Sequence, residues 1–542
     1  MTAGTMRAPR GFWPQWLHPV LVAALTALWT VAVVGSLAAD IPTPFLVPLS
    51  LLVPLALAAR SLFWKTKPSP AVLRATGWTI LVTTALIAGI SVPGLGMTVL
   101  AVPALLLVAV LCGRYPAQAV IAVVGVTASY GSLQAFTPID AGPAADAVLA
   151  GLWISVIWGY LLRGRDRPIW LWPGVVAVLL YIFLTACEIL TAPSISHGFY
   201  AFRGTAWYML TFLLVGYGLW RPGTRGLVVK GVIVIAFLAG AYATFRLFVG
   251  PDSREQALAA SADSTNFLNG KFRLVGSFLG GKALATWCSI MIPFCLAIGL
   301  SVKGHWRVLA GLACAGCAVG LLGSEVRSPL IGVVVGIGLV FLLFQLARAI
   351  PGLHLGVTAT AVLAAALVGI GVFSFTGGSS EGSQHRYTLI LTPTRDPAFQ
   401  ARLLRWRTVM VDIDRHPFGQ GLGTASRIQR QRGRFTNIAN INIDNSYLQI
   451  AFEQGLGVML LFIFSALLML FGLARRAIAT AVRERAAVAI GACGGLAAYL
   501  AVLPTGSYVE GFNTLAVWTL VGLGVGQFAF PDEPGSREPI RT

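Results

Sequence analysis

Apolar runs of membrane-spanning length recur along almost the whole chain. A crossing helix needs roughly 20 apolar residues. Such runs fall near 17–38, 43–63, 75–92, 95–112, 115–136, 145–163, 169–190, 206–220, 227–249, 282–301, 306–323, 327–347, 353–375, 450–473, 486–504 and 512–530. The third and fourth are short and share a joint at Pro93, Gly94 and Gly96, so they can count as one broken unit. The first run, Trp16 to Ala39, follows Arg7 and Arg10 and ends without a small-residue cleavage pattern, so it reads as a span and not as a signal peptide. One long polar stretch, about 376–449, interrupts the series. Inside it Leu403, Leu404, Trp406, Val409 and Met410 carry helical spacing over Ala401 to Ile413. The predicted fold class is an all-α integral membrane protein: a polytopic bundle of about 14–16 helices with one long outer loop. Its expected organisation is 1–225, N-terminal helices; 226–375, a transmembrane core; 376–449, the long loop; 450–530, C-terminal helices; and 531–542, a cytoplasmic tail.

Composition narrows the class. Apolar residues make up 56% of the 542 residues and charged residues only 11%, against about 25% charged in an ordinary globular chain. That excludes a soluble enzyme, a disordered chain and a fibrous repeat. The net charge of +19 would point to nucleic acid in a soluble protein. Here the basic residues lie between apolar runs, so they report topology, and no nucleic-acid partner is expected. With the N-terminus inside, 22 of the 39 Lys and Arg residues fall at the termini and in alternate loops, which places both termini in the cytoplasm of a cytoplasmic-membrane protein. The other 17 break the rule and cluster: Arg203; Arg246, Arg254, Lys271, Arg273 and Lys282; Arg327; and ten arginines from Arg386 to Arg434. Arginine grips phosphate in a forked, bidentate fashion that lysine does not offer. Insertion rules disfavour such charge outside. An anionic ligand at the outer membrane face is therefore expected ahead of mere anchoring to headgroups.

Other residue types change the picture less. Cys314 and Cys317 have C-x-x-C spacing, but no polar ligands surround them and all seven cysteines lie in apolar stretches. They read as packed or lipid-facing thiols, with no metal site and no disulfide. Trp13, Trp16, Trp170, Trp172, Trp207, Trp220 and Trp306 sit at predicted span ends, as interfacial anchors do. Trp406, in the long loop, is a candidate for stacking on a sugar.

Four segments of the C-terminal half form a pattern. They are GSFLGGKALA (Gly276–Ala285), opening a span; GSEVRS (Gly323–Ser328), opening another; ARLLRW (Ala401–Trp406) followed by HPFGQGLG (His416–Gly423); and IDNSYLQ (Ile443–Gln449) followed by EQGLG (Glu453–Gly457). Their order and the place of the long loop resemble the O-antigen ligase and Wzy-type polymerase superfamily over about residues 230–530. The resemblance implies a helical, GT-C-like membrane glycosyltransferase with its site at the outer face. It also implies a polyprenyl-diphosphate-linked donor, a diphosphate held by arginines, and no metal. Arg327 matches the arginine of a Ser/Thr-x-x-Arg-like helix start, and Arg402 the arginine a few residues before a tryptophan, with Arg405 one turn on. The lipid A-core ligases of the superfamily carry a His before the Asn of the fourth segment, where this chain has Asp444.

Each residue also has a plainer reading. Arg327 could snorkel to headgroups or pair with Glu325. Arg402 or Arg405 could pair with Asp412 or Asp396. Asp444 could act as general base for an acceptor hydroxyl, or cap the helix starting near Ser446 beside Asn445. His416 and Asn445 could touch substrate, although the glycines after His416 read first as a turn. Glu453 is expected inside the start of a span, facing an arginine, with Glu188 and Glu510 as weaker cases. Lys271, Arg273 and Lys282 are expected to line the same basic cavity.

The expected function is transfer of glycan from a polyprenyl-diphosphate carrier to an acceptor hydroxyl, polymerising repeat units because the ligase-type His is absent. Arg327, Arg402 and Asp444 would be catalytic; Arg405, Lys282, Arg273, His416, Asn445 and Glu453 would bind substrate. No nucleotide or other cofactor is expected. The partners would be the lipid-linked donor, a glycan, lipid or wall-polymer acceptor, and membrane lipids. The alternatives are ligation of a finished glycan, and a transporter or lipid-linked-sugar flippase.

Overall fold

The computed structural model describes residues 108–137, 141–163, 172–219, 222–262, 266–268, 271–347, 397–425, 443–480, 482–506, 509 and 511–529. The spans expected near 17–38, 43–63, 75–92 and 353–375, and most of 95–112, lie outside these residues. The chain forms two compact units, Met1–Leu107 with Ile157–Trp170, and Val108–Val156 with Leu171–Thr542. Nearly all described residues belong to the second, to which the following account refers.

The described residues of this unit are mostly helical. Its helices are α1 (Pro116–Phe136), α2 (Ala141–Arg163), α3 (Pro173–Cys187), α4 (Ile195–Phe202), α5 (Pro222–Val249), α6 (Ser253–Ala262), α7 (Gly281–Ser301), α8 (His305–Gly323), α9 (Ser328–Leu346), α10 (Pro397–Arg415), α11 (Ser446–Gln454), α12 (Leu456–Ala479), α13 (Arg483–Val502) and α14 (Phe512–Gly526). The exception among the described residues is a small antiparallel hairpin pairing Phe267–Leu268 with Lys271–Phe272. Among the described residues, eight helices are long and apolar enough to cross a membrane, and Gly142–Trp158 and Phe512–Gly526 are shorter apolar helices. The chain is an all-α polytopic membrane protein, as the hydropathy pattern predicts.

Two elements differ from the expected spans. The run near 206–220 is not a regular helix. It follows α4 as a π-helical turn (Arg203–Trp207), one α turn (Thr211–Leu213) and a second π turn (Leu214–Gly218), buried almost throughout. Trp207 is consequently buried and is not an interfacial anchor. The run near 450–473 breaks at Gly455 (φ 92°) into α11 and α12.

Lipid tails are as apolar as leucine, so helices here associate by close packing more than by expulsion of water. Small residues make that packing possible. A Cβ on Gly240 of α5 would lie 2.7 Å from the Gly316 backbone of α8, and one on Gly336 of α9 would lie 2.7 Å from the Gly494 carbonyl of α13. Helices α7 and α13 are buried along most of their length and form the centre.

The contacts fix helix directions. Gly240 meets Gly316 and Leu247 meets Gly323, so α5 and α8 run parallel. Gly299 meets Ala310 and Cys288 meets Gly320, so α7 runs against α8. Gly332 meets Ala498 and Gly336 meets Gly494, so α9 runs against α13. One end of the bundle, called the upper end below, thus collects the C-termini of α1, α3, α5, α8 and α13 and the N-termini of α2, α7, α9, α12 and α14. At the lower end Lys230 stacks on Trp306, Arg476 on Trp172, and Arg483 bonds the Leu300 carbonyl. The described members of the two charge classes read from the sequence therefore separate to opposite ends of the unit.

Candidate glycan-transfer site

The upper end gathers the motifs. Gly281, just before Lys282, opens α7 against the segment 273–275 and the end of α8. A Cβ there would lie 3.2 Å from the Leu274 carbonyl, 3.4 Å from that of Ser324 and 3.5 Å from the Arg273 Cβ. Arg273, Lys282 and the turn before Arg327 are thus neighbours. Asn266, 2% exposed, holds the arrangement: its side-chain oxygen accepts from the Gly281 N–H (3.1 Å) while its amide donates to the Ala259 carbonyl (2.8 Å). Sequence reasoning missed Asn266, because a polar residue in a short polar stretch gives no periodic signal.

Arg327 stands at the N-terminus of α9, after a turn in which Glu325 has φ 54° and Ser324 accepts from the Val326 N–H. Glu325 is the only described non-glycine residue with positive φ, a conformation costing of order 1–3 kcal/mol. Arg273, Lys282, Glu325 and Arg327 all have interaction partners. Gly332 packs on Ala498 and Val502, so the start of α9 lies beside the turn Leu503–Thr505.

The same turn leads to the fourth motif. Ser446 donates to the Gly506 carbonyl (2.6 Å) and accepts from the Val509 N–H (3.1 Å), and Asn513 of α14 donates to the Ala283 carbonyl (3.3 Å). The loop 503–511 thereby links the start of α11 to the start of α7. Asn445, not Asp444, caps α11: its side-chain oxygen accepts from the N–H groups of Tyr447 (3.0 Å) and Leu448 (3.2 Å). This corrects the capping reading of Asp444 and gives the Asn445 oxygen, expected to meet substrate, a structural partner. Tyr447 donates to the Leu500 carbonyl, and burial pushes its phenol up to about 12, so it stays neutral.

Asp444 is left facing Arg405, with Nη1 and Oδ2 3.6 Å apart. Helix α10 brings Arg405 there. Val409 and Ile413 pack with Ile443, Ala451 and Phe452 in a small core between α10 and α11. Arg402 and Trp406 lie on the same stripe of α10, while Leu403, Leu404 and Met410 are exposed. Arg402 is half-buried and makes no ion pair among the described residues. The arginine that meets Asp444 is therefore Arg405, the residue given a supporting role from the sequence. Asp396 lies outside the described residues, as do Arg386, Arg395 and Arg427 to Arg434.

Glu453 is not inside a span. It lies in α11, 3% exposed, and accepts the N–H groups of Gly423 (3.1 Å) and Ala425 (2.9 Å). It fixes the glycine turn after α10. Gly419 and Gly421 need their freedom: φ is 88° and 105°, and a Cβ would lie 2.5 Å from the Glu453 carbonyl and 2.6 Å from that of Thr191. His416 starts this turn, its ring exposed and without a hydrogen bond among the described residues. Cys317 is buried and donates to the Ala236 carbonyl, and Cys314 to that of Ile292, as packed thiols do. Among the described residues no three His, Cys, Asp or Glu side chains gather as a metal site.

The fold and the upper end describe a polytopic helical membrane protein that collects cations, glycine turns and a carboxylate–guanidinium pair at one end of its bundle. Comparison with known families adds a likeness. Residues 312–464 match the model of the O-antigen ligase family, over the stretch that includes Arg327, α10, Asp444 and Glu453. That family supports a membrane enzyme of glycan transfer, with a lipid-linked glycan substrate and an acceptor. No curated protein matches the chain.

Proposed function

We propose that this protein moves glycan from a polyprenyl diphosphate to an acceptor hydroxyl at the outer face of the cytoplasmic membrane, and that it polymerises repeat units. The observation that carries the reading is Asp444, relieved of capping by Asn445 and set against Arg405. A pair this exposed contributes little to stability, at most about 1 kcal/mol. At 3.6 Å it is a charge pairing and not a hydrogen bond, so both groups keep their capacity for substrate.

In the proposed step the acceptor hydroxyl attacks the anomeric carbon. The bond from that carbon to the diphosphate oxygen breaks, and the polyprenyl diphosphate leaves with the electron pair. Asp444 takes the hydroxyl proton. Arg405, Arg402 and Arg327 receive the charge that grows on the diphosphate, with Lys282 and Arg273 extending the basic surface. The N-termini of α7, α9, α11 and α14, all beside this loop cluster, add partial positive charge. A diphosphate competes with Asp444 for Arg405, so donor binding frees the carboxylate to act. The leaving group is already activated, so the step needs no nucleotide or other cofactor. The upper end is assigned to the outer face because the described loops that obey the positive-inside rule collect at the lower end.

Deleting the gene and sizing lipid-linked and surface glycans tests this. Surface chains should collapse to a single repeat unit. Long chains that persist on the polyprenyl carrier would instead make the protein a ligase, the reading that the name of the matching family favours. Precursors trapped on the cytoplasmic side would make it a flippase.

A further inference from the structure

A second cluster stands beside Gly511. Gly511 donates its N–H to the Gly204 carbonyl (2.8 Å), which ties the loop to the first π turn. That turn begins with Arg203, a residue breaking the positive-inside pattern that the proposed chemistry does not use. π turns are rare and appear often at functional sites, where they re-aim a side chain. Arg203 Nε bonds Asp146 Oδ2 at 2.5 Å, and both side chains remain partly exposed. Asp146 engages only Nε; the Nη edge makes no hydrogen bond among the described residues and is not enclosed. Around the pair lie three aromatic rings. Phe512 meets Tyr130 at 4.7 Å and Tyr208 at 5.5 Å between ring centroids, the Arg203 guanidinium stands 6.0 Å from the Tyr208 ring, and Gln134 bonds the Tyr130 hydroxyl at 2.7 Å.

We infer that Arg203, Tyr130, Gln134 and Phe512 form a subsite for a neutral carbohydrate, the non-reacting part of the glycan chain. The inference rests on the glycan-transfer reading and names where the chain lies. Arg203 and Asp146 cancel in charge, so the cluster favours a neutral ligand, in contrast to the arginine-rich side at Arg402 and Arg405. A forked donor edge fits neighbouring hydroxyls, and partly exposed aromatic faces fit the apolar faces of sugar rings. The position suits this use. Asp444 is two residues from Ser446, and Val509, bonded to Ser446, is two residues from Gly511. Each two-residue step spans at most roughly 7 Å, so the cluster lies a few sugar units from Asp444.

The test uses the full chain in nanodiscs and two probes. One is a neutral oligosaccharide of two or three repeat units released from the host's surface polymer; the other is inorganic pyrophosphate. Arg203→Lys keeps the charge beside Asp146 but removes the forked edge, and should weaken oligosaccharide binding about tenfold with pyrophosphate binding unchanged. Phe512→Leu keeps apolar bulk, removes the ring face and should do the same, so it carries the test if Arg203→Lys does not fold. Arg405→Ala should show the reverse selectivity. Unchanged oligosaccharide binding in folded Arg203→Lys and Phe512→Leu overturns the subsite. So does a wild-type protein that binds pyrophosphate but no oligosaccharide, a result that leaves the diphosphate site standing. If the wild type binds neither probe, the glycan-transfer reading fails and the subsite falls with it.

Discussion

Asp444 and Asn445 divide two tasks that adjacent polar residues often share. Asn445 closes the N-terminus of α11 and Asp444 faces Arg405. Asn445→Ala should therefore cost about 1 kcal/mol of stability, read as a lowered melting temperature. Asp444→Asn should leave melting unchanged and abolish transfer, because an amide cannot take the proton. Full transfer in Asp444→Asn would remove the carboxylate from the chemistry. The sequence makes both residues good caps, and a one-residue difference in where a helix begins is beyond pattern reasoning. Arg402 and Arg405 pose the same difficulty. They are one turn apart on α10, and only the docking of Val409 and Ile413 decides which arginine reaches Asp444.

At the scale of elements, the site depends on α10 being seated on α11. Ile413→Ala removes part of the small core between them and should cost about 2–5 kcal/mol locally. Transfer should fall sharply while the spanning helices keep their melting temperature, since no group near the reacting atoms has changed. Gly421→Ala forces a side chain into φ 105° and against the Thr191 carbonyl, and should likewise loosen the turn that Glu453 holds. Limited proteolysis after α10 would report both effects, and unchanged protection would contradict them. Helix α10 was legible from the spacing of its apolar residues, but its buried face was not. Leu403, Leu404 and Met410 carry the strongest apolar signal and are exposed. The run near 206–220 was misread as a regular span for a related reason: apolar composition is the same in an α-helix and in π turns.

At the scale of the molecule, charge alternation predicted two unlike ends, and the fold separates them. Membrane-impermeant thiol labelling of a cysteine replacing Arg415 should proceed from outside the cell, and labelling at Lys303 only from inside. Labelling of both from one side would break the assigned topology. The spanning helices were legible because hydrophobic length is nearly sufficient to define them. The site was legible only as a set of motifs, because its assembly depends on Ser446, Asn266 and the loop 503–511, which carry no pattern of their own. The central claim is direct glycan transfer from a polyprenyl diphosphate. The most direct measurement incubates purified protein in nanodiscs with the lipid-linked repeat unit alone and resolves the products by size. The account expects a ladder of longer glycans with stoichiometric release of polyprenyl diphosphate, lost in Arg405→Ala and in Asp444→Asn. A substrate that stays one repeat unit long with wild-type protein, or an undiminished ladder in both variants, would contradict it.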